Sequence, residues 1–299
     1  MTATPQSRPS ANRDIPVRRL DADLSGTGLR EAGVDQNDPW LVPGDPIFSH
    51  FLAVLSALFP HGEEFFVTTV RAYRREIAGQ AVLRRQVNAF IGQEVMHGRE
   101  HRDLNERLAD LGYPVERVDR GVKRLCQVLL RLPGALPLAV TAAAEHLTGT
   151  MAEEFLEGRG TSEVFLSRAG DLRTLVHWHA LEELEHKNVA FDVFESVDGR
   201  YLVRVAGFWT MLNVLGGYGL VSWVRGAIGD RRRIGRSGRR RFRSNLRRQS
   251  ALSPRSGRRL LRYLRPGFHP DDTDTDALVD EWRVRLSDRT TAVSAHAAS

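Results

Sequence analysis

Two separate stretches of this chain each put glutamate and histidine on the side of a helix that also carries its apolar residues. In LVHWHALEELEHKNVAFDVF, His179, Glu183 and His186 stand at i, i+4 and i+7. At about 100° per residue these three project within roughly 60° of one another. Leu172, Val176 and Ala190 share that stripe, so the polar groups aim at the core. VNAFIGQEVMHGREHRDLNERL repeats the arrangement with Glu94, His97 and His101, on a stripe continued by Val87, Phe90, Leu104 and Leu108. Burying such groups is costly unless something pairs them. A metal ion is the partner that suits imidazoles and carboxylates together.

A single Glu-x-x-His pair is weak evidence, because such pairs usually sit on a solvated face. Two of them on two apolar stripes are half of a ligand set. Dimetal helical bundles of the ferritin-like class take Glu-x-x-His from each of two helices and one Glu from each of two others. In SHFLAVLSALFPHGEEFFVTTVRAYRRE, Glu63 shares its face with Phe66, Val70 and Tyr73, whereas Glu64 lines up with Thr68, Arg71 and Arg75, so periodicity selects Glu63. In PLAVTAAAEHLTGTMAEEFLEG, Glu145 lies with Leu138, Ala142, Thr148 and Ala152, and the later glutamates fall among polar neighbours. His146 points roughly 100° away from Glu145. Glu182 is near the inward stripe and competes with Glu183, which better matches the spacing of Glu94 and His97; Trp178 and Glu185 read as packing and surface. The expected fold class is all-α, a ferritin-like four-helix bundle core with additional C-terminal helices.

Helix formers dominate from Ile47 onward and no run alternates like a strand. The pattern predicts long helices over 47–77, 80–111, 136–158, 171–197 and 200–226, with shorter ones over 117–131, 239–264 and 276–287. This divides the chain into a tail (1–14), a dimetal helical domain (15–228), an Arg-rich helical extension (229–288) and a second loose tail (289–299). Cys126 is the single cysteine of 299 residues, which excludes an internal disulfide and a cysteine-rich zinc site. That, and an N-terminus with no signal-like apolar run, points to a cytoplasmic protein. The net charge of +6 is concentrated in the Arg field of residues 225–265. Just before it, residues 205–224 are uncharged and about as long as the roughly 20 residues a bilayer span needs. Asn213 and the glycines favour a buried core helix over a span. Peripheral contact with an anionic membrane is the weaker reading, nucleic acid is not expected, and a homodimer is left open.

The same motifs resemble those of a bacterial family of predicted metal-dependent hydrolases. FPHGEEFF is similar to its FPxGE segment, FIGQEVMHGREH to its QExxH segment, AAEHLTG to its EH-threonine segment and HALEELEH to its fourth-helix segment, a resemblance covering residues 15–225. It implies Glu63, Glu94, His97, Glu145, Glu183 and His186 as metal ligands. The additional His179 is similar to the third histidine of di-iron arylamine N-oxygenases, which makes it a seventh candidate.

Two chemistries suit such a site. Two irons would activate oxygen, with manganese or zinc as alternative metals; a metal pair would otherwise activate a water for hydrolysis, with His101 or His146 as the base. The bundle analogy favours the oxygen-activating oxidoreductase, with the metal-dependent hydrolase as alternative. A membrane-docked helical scaffold is a third reading, which leaves the inward Glu and His unexplained. Phe208, Trp209, Tyr218 and Trp223 suggest a hydrophobic small-molecule substrate.

Overall fold

Helix-forming runs punctuated by Gly and Pro set the element order in the computed structural model, which describes residues 14–22, 40–41, 46–158, 170–230, 232, 234–236, 239–240 and 254–293. Among the described residues the chain is all-α apart from one short strand pair. Its long helices are α1 (Pro46–Arg71), α2 (Ala81–Asp110), α3 (Val115–Leu129), α4 (Leu136–Leu156) and α5 (Gly170–His186). After these come α6 (Val189–Val197), α7 (Tyr201–Thr210), α8 (Gly217–Gly229), α9 (Pro254–Arg262) and α10 (Asp276–Arg285). A π-helical stretch, Met211–Gly216, joins α7 to α8 without a break.

Three helices depart from expectation. The first ends at Arg71 rather than 77, because the chain tightens into i→i+3 bonds such as Tyr73 N to Val70 O and buries Ile77 fully. The expected 171–197 helix is two, parted at Lys187–Asn188. Lys187 Nζ there donates to Thr273 O and Thr275 Oγ1, and Asn188 Nδ2 donates to Asp192. Of the expected 239–264 helix, residues 241–253 lie outside the described residues and α9 occupies 254–262.

Two apolar clusters alternate along the helices. Val54 and Ala57 of α1 belong to one cluster and Phe65 and Val70 to the other; α2 meets them in reverse order, Phe90 before Leu108. Leu138 then Leu156 on α4, and Leu175 on α5 then Phe194 on α6, complete the pattern. Therefore α1 and α5 run one way and α2 and α4 the other, and the polar residues between the clusters fall at one level. Fully burying each large apolar side chain contributes about 1.5–3 kcal/mol, which fixes this level more firmly than helix propensity does. Gly207 allows α7 to lie against α4: a Cβ there would stand 2.6 Å from the Ala139 backbone.

The C-terminal extension belongs to the same cores, through Leu260 and Tyr263 in one and Val279, Trp282 and Leu286 in the other. The expected loose tail at 289–299 is corrected in part. Thr290–Ala292 form strand β2, antiparallel to β1 (Arg18–Leu20), with Arg18 opposite Ala292; residues 294–299 lie outside the described set, as does the 1–13 tail. Tyr201–Gly229 is the one helix among the described residues long and apolar enough to cross a membrane. The expectation of a buried core helix is also corrected, since only 22% of its apolar window is buried and Leu202, Leu220 and Ile228 are exposed.

Candidate metal centre

The level between the two apolar clusters holds Glu63 from α1, Glu94 and His97 from α2, Glu145 from α4, and His179, Glu183 and His186 from α5. None is more than 6% exposed. Their ligand atoms form three groups that can hold a metal ion, each within 4.8 Å: Glu63, His97 and His179; Glu94, Glu145 and His186; and Glu94, His97 and Glu183. The first two share no residue, and the third connects them.

Most of these ligand atoms lack any hydrogen-bond partner. Both oxygens of Glu63, Glu94 and Glu145, Oε2 of Glu183, Nδ1 of His97 and Nε2 of His186 are buried in that condition. Leaving even one buried acceptor unsatisfied costs about 1–3 kcal/mol, and more for a charged group. Burial therefore pushes the carboxyls of Glu63 and Glu94 well above the ordinary range, helped by the charges of Glu183 and Glu145 respectively. Glu145 is pushed up to about 7 by burial and by Glu183. Burial opposes ionisation of Glu183 too, but its contacts with the His179 and His186 imidazoles hold it well below its usual value. His186 lies well above its usual value in spite of burial, because the Glu145 carboxylate faces it. Protons stand in for cations throughout the cluster.

A surrounding layer sets each imidazole's tautomer. His97 Nε2 donates to Glu182 Oε2 at 3.1 Å, which leaves Nδ1 facing Glu94 and Glu183 at 3.8 and 3.9 Å. His186 Nδ1 donates to Gln93 Oε1 at 2.9 Å, since the Gln93 amide nitrogen is committed to Pro16 O and Glu185 Oε2. Its Nε2 then stands 3.1 Å from Glu94 and 3.3 Å from Glu145. The third histidine is set by a longer chain: Ser56 Oγ donates to Asn105 Oδ1, so His101 Nδ1 donates to Ser56. Burial holds His101 well below its usual pKa and hence neutral, so its Nε2 accepts from His179 Nδ1 at 2.8 Å. His179 Nε2 is thereby turned toward Glu183 Oε1, 2.9 Å away. Lone pair and carboxylate face each other there unless a cation or a proton lies between. Ring nitrogens bared by a bonded partner are how histidine ligands are oriented in metal sites.

The outer layer has its own charge balance. Glu182 and Glu185 are both fully buried. Arg18 gives Glu185 two bonds of 2.7 Å and Glu182 one of 3.2 Å, while Arg283 Nε reaches Glu185 at 2.6 Å. Trp178 Nε1 donates to Glu182 Oε1 at 3.0 Å. Two arginines answer the two outer carboxylates, whereas among the described residues no arginine or lysine is hydrogen-bonded to the inner four. Gly98 completes the site by lacking a side chain, because a Cβ there would lie 3.0 Å from Glu63 Oε2.

Sequence periodicity placed the seven inner candidates, and the structure brings all seven together. Glu64 is exposed and bonded to His61, outside the cluster. His101 touches it through His179. His146, the other proposed base, does not: its Nε2 bonds Arg259 O at 3.2 Å and its ring stacks on Tyr263, away from the cluster, with burial lowering its pKa to about 4. Glu182 supports His97 and stands in none of the three groups. Trp178 and Glu185, read as packing and surface, are buried partners of the outer layer. Arg18, Gln93, Gly98 and Arg283 were missed. Gln93 adjoins Glu94 and could have been suspected, but nothing in local spacing marks an arginine 76 residues before Glu94.

An all-α chain with this buried carboxylate and imidazole cluster falls in the class of helical proteins equipped to bind metal. More particularly, it belongs to the family described as predicted metal-dependent hydrolase, whose model matches residues 30–274. That span runs past the 15–225 of the motif resemblance and takes in the Arg-rich segment and α9. No curated protein and no solved structure matches the chain.

Proposed function

We propose that the chain is a dinuclear metal enzyme of the ferritin-like kind. Glu63, His97 and His179 would hold one ion, Glu94, Glu145 and His186 the other, and Glu183 would lie between them. The observation that carries this is the inner cluster of four buried carboxylates, which two divalent ions match charge for charge. The reaction we propose is hydrolysis, the activity the family description names. When bound, such ions lower the pKa of a coordinated water to about 7 and polarise a carbonyl. The chain's own part is orientation: Glu182, Gln93 and His101 hold three imidazoles with one nitrogen bare.

A second reading, oxidation of substrate with O2 by two irons, is favoured by the carboxylate-rich donor set and the extra His179. Metal analysis of the purified chain, followed by parallel assays of ester hydrolysis and of O2 uptake with a reductant, separates the two. About two metal ions per chain with oxygen-independent ester turnover is the expected result. Reductant-coupled O2 uptake without ester turnover replaces hydrolysis by the second reading, and a chain holding no metal overturns both.

A further inference from the structure

A cavity of about 720 Å3, counting its open mouth, lies against one side of the cluster. Its walls include Leu52, Leu55 and Phe59 of α1, Met151 and Phe155 of α4 and Val176 of α5, and its polar groups gather where His101, His179 and Glu183 appear. The Phe59 ring stands 4.6 and 4.5 Å from the rings of His101 and His179, so the apolar wall runs up to the imidazoles. Two hydroxyls in the wall are already committed, Ser56 to Asn105 and His101, and Thr148 to Glu145 O. No lysine or arginine lines it. Along the apolar wall a charged group would lose its hydration with nothing to replace it.

We propose that this cavity takes an uncharged, mainly hydrocarbon substrate, an alkyl or aryl chain whose polar reacting group lies at one end, against His179 and Glu183. The assignment rests on the proposed metal reading for that end, and on the cavity alone for the chain. Displacement of the neutral fluorophore 1-aminoanthracene by n-alkanols from butanol to decanol tests it, on metal-loaded and metal-stripped protein. Affinity should rise about fourfold per methylene until the cavity is full, the factor expected for burying each CH2. Met151→Trp, at a half-buried wall position, should weaken decanol more than tenfold and leave metal content unchanged. A flat alkanol series, even with two metals present, or tighter binding of hexanoate than of hexanol to the metal-stripped protein, overturns the cavity assignment. A rising series in a chain that never binds metal upholds it and sinks only the metal reading.

The outward face of α7–α8 carries a separate site. Leu202, Trp209, Leu220, Val224 and Ile228 make an exposed apolar stripe along 29 residues, about 43 Å of helix. The inner face, with Gly207, Phe208 and Met211, is packed on the core, so lipid cannot surround the helix. Exposed Arg225, Arg232, Arg236, Arg239 and Arg240 follow at its C-terminal end; the one acid among them, Asp230, is bonded to His50. Apolar stripe and adjacent cations together fit one occupant, and we infer that this face lies flat on an anionic bilayer. The full chain should sediment with vesicles of phosphatidylglycerol and phosphatidylcholine and at least tenfold less with phosphatidylcholine alone, and L220D/V224D should abolish binding. Equal binding to both vesicles, no binding, or a solution dimer that L220D dissolves would overturn it.

Discussion

Arg18 is the sharpest place to perturb the candidate site, because it touches none of the inner residues and yet anchors the two outer carboxylates, Glu182 and Glu185, that position them. Arg18→Ala removes both 2.7 Å bonds to Glu185 and the 3.2 Å bond to Glu182, and takes away one of the two arginines that answer these fully buried carboxylates. Removing one partner of a buried ion pair costs about 3–5 kcal/mol. Arg283 still reaches Glu185, which places the expected loss near the lower figure. For a chain of this size that is a fall in Tm on the order of 10 °C. Glu182 and Glu185 also orient His97 directly and His186 through Gln93, and loosening such partners typically lowers metal affinity about 10–100-fold. Thermal unfolding and metal titration of Arg18→Ala, Glu185→Gln and the double variant form the assay. Neutralising Glu185 in the Arg18→Ala background should recover part of the stability, since the stranded charge is then gone. An Arg18→Ala protein within about 0.5 kcal/mol of the parent, as for an ordinary surface change, would refute the two-layer account.

Other expectations follow from the same geometry. Glu63→Gln should cut metal content by at least half, whereas Glu64→Gln should leave it unchanged, as read by elemental analysis. Gly98→Ala should weaken metal binding without unfolding the chain, because the new Cβ crowds Glu63 Oε2. His146→Phe should retain turnover within about twofold, the ring packing of His146 on Tyr263 being kept, and a tenfold loss would restore it as a base. Above about pH 6.5, where the buried His97, His101, His146 and His177 are neutral in the unfolded chain as well and no longer oppose the trend, the metal-free chain should lose stability as pH rises. Carboxyls whose folded pKa is raised above 4.5, up to about 7 for Glu145, favour the fold below 4.5, and that contribution disappears as pH passes through the folded value. Metal should abolish this slope and bind more tightly as pH rises, since loading releases those protons. Thermal scans from pH 5 to pH 8, with and without metal, check both signs.

How much was legible in advance depends on range. Glu63 over Glu64, Glu145 over its later neighbours, and the two Glu–His stripes were decided by helical period, because a residue's face follows from its number within one helix. Helix extents came out within a few residues where Gly and Pro mark them, and failed at Ile77, which is drawn into the core, and at Lys187–Asn188. The sequence by itself therefore determined that four helices would each carry carboxylate or imidazole toward a common core. Only the tertiary structure decided which nitrogen each histidine bares, that Glu182 and Glu185 lie inside rather than out, that α7–α8 shows its apolar stripe to solvent, and that Arg18 and Arg283 meet at Glu185. The physical reason is that burial and hydrogen bonding are properties of neighbours, and the neighbours of Glu185 come from residues 93, 18 and 283, brought together by helix packing and by a three-residue strand pair that no local pattern announces.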